Sequence, residues 1–166
     1  LIDADPQGSL TISLGCQEPD KLEYSLATVM MKIINDESFN ALDGIIHHEE
    51  GVDILPGNIE LSGLEVSLIG VISRETILRE YVDKVKEYYD YIIIDCPPSL
   101  GLLNTNALTA ADSILIPVQC EYYALEGLTQ LLNTILLTQS VFNRNLTIEG
   151  VLLTMLDSRT NLGVEV

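Results

Sequence analysis

Three aspartates stand where a chain could bind a metal ion beside a phosphate group. Asp3 and Asp5 lie in the opening segment LIDADPQG, and Asp95 ends the apolar segment YIIID. Because Asp3 and Asp5 are two positions apart, both side chains of an extended segment project on one face. Three carboxylates at one edge of a sheet would repel each other unless a cation or bound water used them. The pattern favours a Mg²⁺–phosphate site, although turn-forming aspartates would explain each position separately.

The segment that delivers Asp95 is predicted to be a strand buried on both faces. Residues 91–94 form a continuous apolar run, which is typical of a parallel sheet covered on both sides. Pro97 and Pro98 cannot donate backbone hydrogen bonds, so the strand should end before them. Ligands of open α/β sheets bind beyond the carboxyl ends of strands, and a lone aspartate there can hold Mg²⁺ beside a nucleotide, as in a Walker B motif. An ordinary buried strand followed by a solvated aspartate is the alternative interpretation.

Strand and helix patterns alternate along the rest of the chain. We expect Ser25 and Asn58 to cap two helices, and residues 36–51 to form a loop with a short helix. Strands separated by helices predict right-handed βαβ units. We therefore expect one α/β domain over 1–166, with three layers and a mainly parallel sheet. The predicted helices cover 25–34, 59–68, 73–89, 101–111 and 123–142, and the predicted strands cover 1–4, 52–55, 91–94, 113–118 and 148–154.

Charge and cysteine content limit the functions that this part of the chain can perform. The 166 residues include 25 acidic and 8 basic ones, for a net charge of −17. Such a surface repels polyanions, so DNA binding through this part alone is not expected. The three cysteines, Cys16, Cys96 and Cys120, show no CxxC spacing. We therefore expect a reducing cytoplasm rather than a disulfide framework, and no apolar run approaches the length of a membrane span.

Several long segments in the same order resemble one family, the ParA/Soj chromosome- and plasmid-partitioning ATPases. This family is a deviant-Walker-A branch of the P-loop NTPases. The resemblance covers nearly the whole chain and lies in LIDADPQGSLT, ILPGNIELSGLE, YDYIIIDCPPSLGLLNTNAL, PVQCEYYALEGL and GVLLTMLDSRTNLGVEV. It implies a P-loop NTPase-like fold and a site for ATP and Mg²⁺.

The resemblance also implies roles for individual residues. Asp5 would orient the attacking water as the catalytic residue. Asp3 would support the Mg²⁺ and phosphate network, and Asp95 would hold Mg²⁺. Pro97 would begin the second switch segment, which continues to Gly101.

Two residues near the end of the chain complete the set that the resemblance implies. Met155 and Asp157 fall where the family approaches the nucleotide base.

The resemblance further implies partners and a location. The parent protein would form a nucleotide-dependent homodimer, bind DNA nonspecifically and respond to a ParB-like centromere-binding partner. It would be cytoplasmic and associated with the nucleoid, with no membrane partner. A MinD-like membrane-associated ATPase and a noncatalytic regulatory module are the alternatives. A nitrogenase-iron-protein-like cluster is less favoured, because Cys96 and Cys120 lack a glycine-rich setting.

One departure from the family pattern concerns the phosphate-binding loop. No G-x-x-x-x-G-K-[ST] segment occurs in the chain, which opens at Leu1 without an initiator methionine. We therefore expect the chain to be truncated at both ends, with the phosphate-binding loop and the basic DNA-contacting residues in the rest of the parent protein. The chain alone should be inactive, because the backbone amides and lysines that would hold the phosphates are missing.

The chain as given should therefore not bind MgATP. Isothermal titration calorimetry with MgATP should show no heat beyond that of dilution. Binding at micromolar concentrations would mean that the phosphates are held by residues other than the family's glycine-rich loop.

Overall fold

The computed structural model describes residues 1–119 and 124–155. The chain forms two compact units, Leu1–Ala110 and Ala111–Val166. Among the described residues, no helix is both long and apolar enough to cross a bilayer. That the whole chain is a single domain stays a prediction.

The first unit is built around a short strand at the start of the chain. Strand β1 (Ile2–Asp3) pairs in parallel with β4 (Ile94–Asp95), and Ile2 forms a parallel bridge with Leu55 on the other side. The amide of Asp3 donates to Leu55 O over 3.1 Å, and that of Ala4 donates to Asp95 O over 2.8 Å. Strands β2 and β3 form an antiparallel pair. The strands are β1 (Ile2–Asp3), β2 (Ile46–His47), β3 (Asp53–Ile54) and β4 (Ile94–Asp95).

The four helices between Leu26 and Ala110 pack with these strands to form one apolar core. Packing removes the apolar face of each of these helices from water. Tyr81 is the largest fully buried side chain, and residues such as Leu26, Met30 and Leu61 are equally inaccessible. The helices are α1 (Ser9–Ser13), α2 (Leu26–Ile34), α3 (Glu60–Leu68), α4 (Ile77–Val85) and α5 (Leu102–Ala110), with 3₁₀ turns at Pro19–Lys21, Arg74–Thr76 and Lys86–Tyr88.

The second unit is a βαβ element. Strands β5 (Ser113–Gln119) and β6 (Thr147–Thr154) pair in parallel, and α6 (Ala124–Val141) connects them. Pro117 lies opposite Leu152, and the pairing continues beyond it to Gln119. Because proline has no backbone N–H to donate, it would be expected at the end of a strand instead. The predicted α/β class with parallel strands is confirmed.

The Ser25 cap is also confirmed. Its hydroxyl accepts from the Thr28 amide over 3.4 Å, and the Thr28 hydroxyl accepts from the Ser25 amide over 3.2 Å. This reciprocal capping box satisfies two amides that the first turn of α2 would leave unpaired.

The predicted burial of residues 91–94 on both faces is wrong. Tyr91 and Ile93 are 87% and 62% exposed, whereas Ile92 and Ile94 pack against the core. Side chains alternate along an extended chain, and only one face of this segment is covered in the described part of the molecule. An uninterrupted apolar run therefore did not reveal which face packs.

Three further local predictions need correction. Asn58 does not cap α3, because its side chain is buried and forms no hydrogen bond with described residues. The helix predicted over 73–89 is present but begins at Arg74, since Ser73 has a φ of 57°, and 3₁₀ turns precede and follow α4. The predicted loop and short helix over 36–51 contains β2 instead, which pairs with β3.

Replacing Ser25 with alanine should destabilise the first unit by about 1 kcal/mol, the usual cost of losing a helix N-cap. Urea unfolding measures the change. Ser67→Ala is the matched control, because that hydroxyl is exposed and bonds within its own helix to Gly63 O. If the two variants lose equal stability, the capping box does not stabilise α2.

Candidate functional site

Asp3 is buried at the start of the first acidic loop, which we define as residues 3–8. Its side chain has no exposed area. Oδ2 accepts from the Thr11 amide over 2.8 Å and from the Thr11 hydroxyl over 2.7 Å, and Oδ1 accepts from the Asp5 amide over 3.2 Å. The Thr11 hydroxyl in turn accepts from the Gly57 amide over 3.0 Å. A carboxylate can be buried in this way because charge-assisted hydrogen bonds replace its water.

Asp5 forms a turn immediately after this buried carboxylate. Its Oδ1 accepts from the Gln7 amide over 2.9 Å, and its carbonyl accepts from the Gly8 amide over 3.0 Å. Gly8 has a φ of 61°, where a glycine avoids the strain of a side chain. Among the described residues, Oδ2 of Asp5 has no hydrogen-bond donor. The turn therefore fixes Asp5 through one oxygen and leaves the other for a ligand.

Asp95 lies beside this loop at the end of β4. It is in register with Asp3 on the neighbouring parallel strand, and its side chain is exposed. Partial burial, followed by the negative charges of Asp3 and Asp5, raises the pKa of the Asp95 carboxyl above its usual value. The structure thus brings the three predicted aspartates together.

The loop after Asp95 is held by residues that the sequence did not single out. Pro97 is buried, and its carbonyl accepts from Asn104 Nδ2 over 2.9 Å. Asn104 Nδ2 also donates to Ser99 O. The Leu102 amide, at the start of α5, donates to Glu65 Oε1 over 2.7 Å. Thr11, Gly57 and Glu65 gave no spacing signal in the sequence, because the contacts between Thr11 and Gly57 and between Glu65 and Leu102 join segments far apart in the chain.

The two residues assigned to the nucleotide base, Met155 and Asp157, belong to the second unit of the chain, whereas the three aspartates belong to the first. Met155 directly follows β6 in the second unit, is 81% exposed and has a φ of 55°. Asp157 lies outside the described residues. Both assignments stay predictions.

The described residues contain no group of three or more histidine, cysteine, aspartate or glutamate side chains arranged to hold a metal ion. This agrees with the ordinary chemistry of Mg²⁺, which takes one or two carboxylates and completes its shell with water and phosphate oxygens. Asp95 offers an exposed carboxylate of this kind. Asp3 has both oxygens engaged, so its contacts support a positioning role, and its assignment as a metal ligand stays a prediction.

Known proteins match the chain along its whole length. A family model described as an AAA domain matches residues 1–148. The sporulation initiation inhibitor protein Soj of Bacillus subtilis is 53% identical over 100% of the chain. The chain belongs to the ParA/Soj family of partitioning ATPases. The chromosome partitioning protein ParA of Myxococcus xanthus is 46% identical over the same extent, and the chain spans 64% and 57% of these two relatives.

Solved structures show the fold of this ParA/Soj chain. Cobyrinic acid a,c-diamide synthase from Mycobacterium smegmatis, solved with an ATP analog and magnesium, has a TM-score of 0.90 and 41% identity, and the match covers 99% of the chain and 65% of that protein. A plasmid partition protein from Borrelia burgdorferi has a TM-score of 0.79 at 22% identity, over 99% of the chain and 68% of that protein, which shows the fold alone. The predicted P-loop NTPase-like fold is therefore confirmed.

Replacing Thr11 with valine should cost about 2 to 3 kcal/mol, because Asp3 loses a hydroxyl donor and the buried Gly57 amide loses its acceptor. Urea unfolding measures this loss. Thr11→Ser keeps the hydroxyl and should retain most of the stability. A loss in Thr11→Ser with none in Thr11→Val would show that the methyl group, and not the hydroxyl, stabilises this loop.

Proposed function

We propose that the full-length protein binds and hydrolyses MgATP as a partitioning ATPase. One observation carries the proposal: two acidic loops meet at the carboxyl ends of adjacent parallel strands, with Asp3 and Asp95 in register. This is the edge of an α/β sheet at which ligands bind. The 53% identity to Soj and 46% identity to ParA support the partitioning role over other roles of the fold.

Asp5 is assigned as the residue that orients the attacking water. Its carboxylate is fixed by the Gln7 amide through one oxygen, so the other can accept a hydrogen bond from water. Positioning of the nucleophile supplies much of the catalysis in phosphoryl transfer. Asp3 stabilises this arrangement, because its Oδ1 accepts a hydrogen bond from the Asp5 amide.

Asp95 is assigned to Mg²⁺. The raised pKa of its carboxyl reflects burial and two like charges nearby, and a bound cation would relieve that repulsion. When bound, Mg²⁺ would neutralise charge on the β- and γ-phosphates of ATP. Pro97 follows as the start of the second switch segment. Met155 and Asp157 remain assigned to the nucleotide base.

The partners proposed for the full-length protein follow its family. They are a second copy bound in an ATP-dependent homodimer, nonspecific DNA and a ParB-like centromere-binding protein. The net charge of −17 supports a DNA-contacting surface outside this part of the chain. The proposed location is the cytoplasm, in association with the nucleoid.

Replacing Asp5 with alanine in the full-length protein should lower turnover by roughly two orders of magnitude or more, the scale of losing a positioned catalytic group. ATP binding and ATP-dependent dimerisation should survive. Asp95→Ala should instead weaken Mg²⁺-dependent nucleotide binding itself. Nucleotide affinity and single-turnover hydrolysis, measured for both variants, separate the two roles.

Asp5→Asn is the sharper companion variant, because an asparagine oxygen can still accept from the Gln7 amide and so preserve the turn. It should lose turnover as Asp5→Ala does. If either variant hydrolyses ATP at the parental rate, Asp5 is only a turn residue and the assignment of the catalytic water is wrong.

A further inference from the structure

The segment just before helix α3 contacts the first acidic loop. The Gly57 amide donates to the Thr11 hydroxyl that also binds Asp3. The backbones at Gly57 and Asp3 are so close that a Cβ on Gly57 would lie 2.5 Å from the Asp3 carbonyl oxygen. The Ile59 amide, just before α3, donates to Asp20 Oδ1 over 3.1 Å. This end of the helix therefore cannot shift without disturbing the Asp3 network.

Helix α3 contacts the second acidic loop, which we define as residues 95–101, through Glu65. Its Oε1 accepts from the Leu102 amide over 2.7 Å, at the first residue of α5. The first amides of a helix lack intrahelical partners and carry partial positive charge, so a carboxylate there is favourable. Glu65 also occupies the space that a Cβ on Gly101 would need. Glu65 thus fixes the junction between the loop and α5.

The loop itself is tied to α5 by Asn104. This asparagine is 7% exposed, and its Nδ2 donates to the carbonyls of Pro97 and Ser99. The segment from Asp95 to α5 is therefore held at two ends, by the pairing of Asp95 with β1 and by the start of α5. That start is the point held by Glu65.

We propose that Glu65 is a positioning residue for Mg²⁺ binding, acting through α5 and the loop that follows Asp95, and that α3 thereby links the two acidic loops. The proposal rests on the proposed function, in which Asp95 holds Mg²⁺. Six residues of helical rise, about 9 Å, separate Ile59 from Glu65. A short helix of this kind moves as a rigid body, so a displacement at one loop is transmitted to the other.

Repulsion between Asp95 and the carboxylates of Asp3 and Asp5 explains why the loop after Asp95 needs to be held. Asp95 lies beside two like charges, and its exposed side chain is repelled by them. The Ala4 amide holds the Asp95 carbonyl on the side of β1, so the loop that follows Asp95 must be held from its other end. The hydrogen bonds from Glu65 and Asn104 hold the loop against this tendency. Without Glu65, the loop would retain its bonds to Asn104 but lose its fixed point on α3.

The test compares Glu65→Ala with the parent in the full-length protein. The Mg²⁺ concentration that gives half-maximal binding of a non-hydrolysable ATP analogue, measured by calorimetry, should rise by about tenfold, the scale of one hydrogen bond to a charged group. The Mg²⁺ concentration that gives half-maximal ATP turnover should rise by the same factor. Turnover at saturating Mg²⁺ should stay within about twofold of the parent, because Asp5 is untouched. Glu65→Gln, which keeps an acceptor oxygen, should recover most of the loss. An unchanged Mg²⁺ requirement in Glu65→Ala would overturn the proposal.

A double variant distinguishes positioning from simple destabilisation. Once Asp95→Asn has removed the metal ligand, adding Glu65→Ala should not raise the Mg²⁺ requirement further, since coupled residues are non-additive. Additive effects would show that Glu65 acts independently of Asp95 and would refute the proposal. If Asp95→Asn alone leaves the Mg²⁺ requirement unchanged, the proposed function fails at Asp95, and the role of Glu65 fails with it.

Two further variants complete the design. Glu60→Ala removes the same charge from an exposed position of α3 and should leave the Mg²⁺ requirement unchanged. Glu65→Asp keeps the charge but withdraws the oxygen from the Leu102 amide by one methylene. It decides the matter if Glu65→Ala does not fold: an intermediate rise in the Mg²⁺ requirement supports the proposal, and no rise refutes it.

Discussion

The buried carboxylate of Asp3 is the constraint on which the rest of the first unit depends. A charge without water must receive hydrogen bonds from the protein, and here the donors are the amide and hydroxyl of Thr11 and the amide of Asp5. Each donor belongs to a segment that the fold must place correctly. Helix α1, the Asp5 turn and, through the Thr11 hydroxyl, the Gly57 segment are therefore fixed together around one side chain.

This arrangement separates the aspartates by environment. Asp3 is sealed and serves to position its neighbours, Asp5 is tied by a single oxygen, and Asp95 is exposed at the end of β4. Partial burial, and then the like charges of Asp3 and Asp5, raise the pKa of the Asp95 carboxyl, and a bound cation would relieve this repulsion. The hydrogen bonds around Asp3 and Asp5 hold these carboxylates close to Asp95 in spite of their mutual repulsion.

Helix α3 shows how a scaffold element can join two loops. The segment just before it contacts the Asp3 network at Gly57, and its middle contacts α5 through Glu65. Its inward residues, such as Leu61 and Leu68, are fully buried and keep it in place. Apolar packing thus holds the helix, while the polar contacts of Gly57 and Glu65 connect it to the two acidic loops.

The sequence by itself determined the α/β class, the Ser25 cap and the choice of Asp3, Asp5 and Asp95 as candidate residues, because these depend on local spacing and on capping chemistry. Tertiary structure decided the rest. The face of residues 91–94 that packs and the burial of the Asn58 side chain depend on partners distant in the chain. Glu65 reaches Leu102 across 37 positions and Thr11 reaches Gly57 across 46, so no local pattern could pair them.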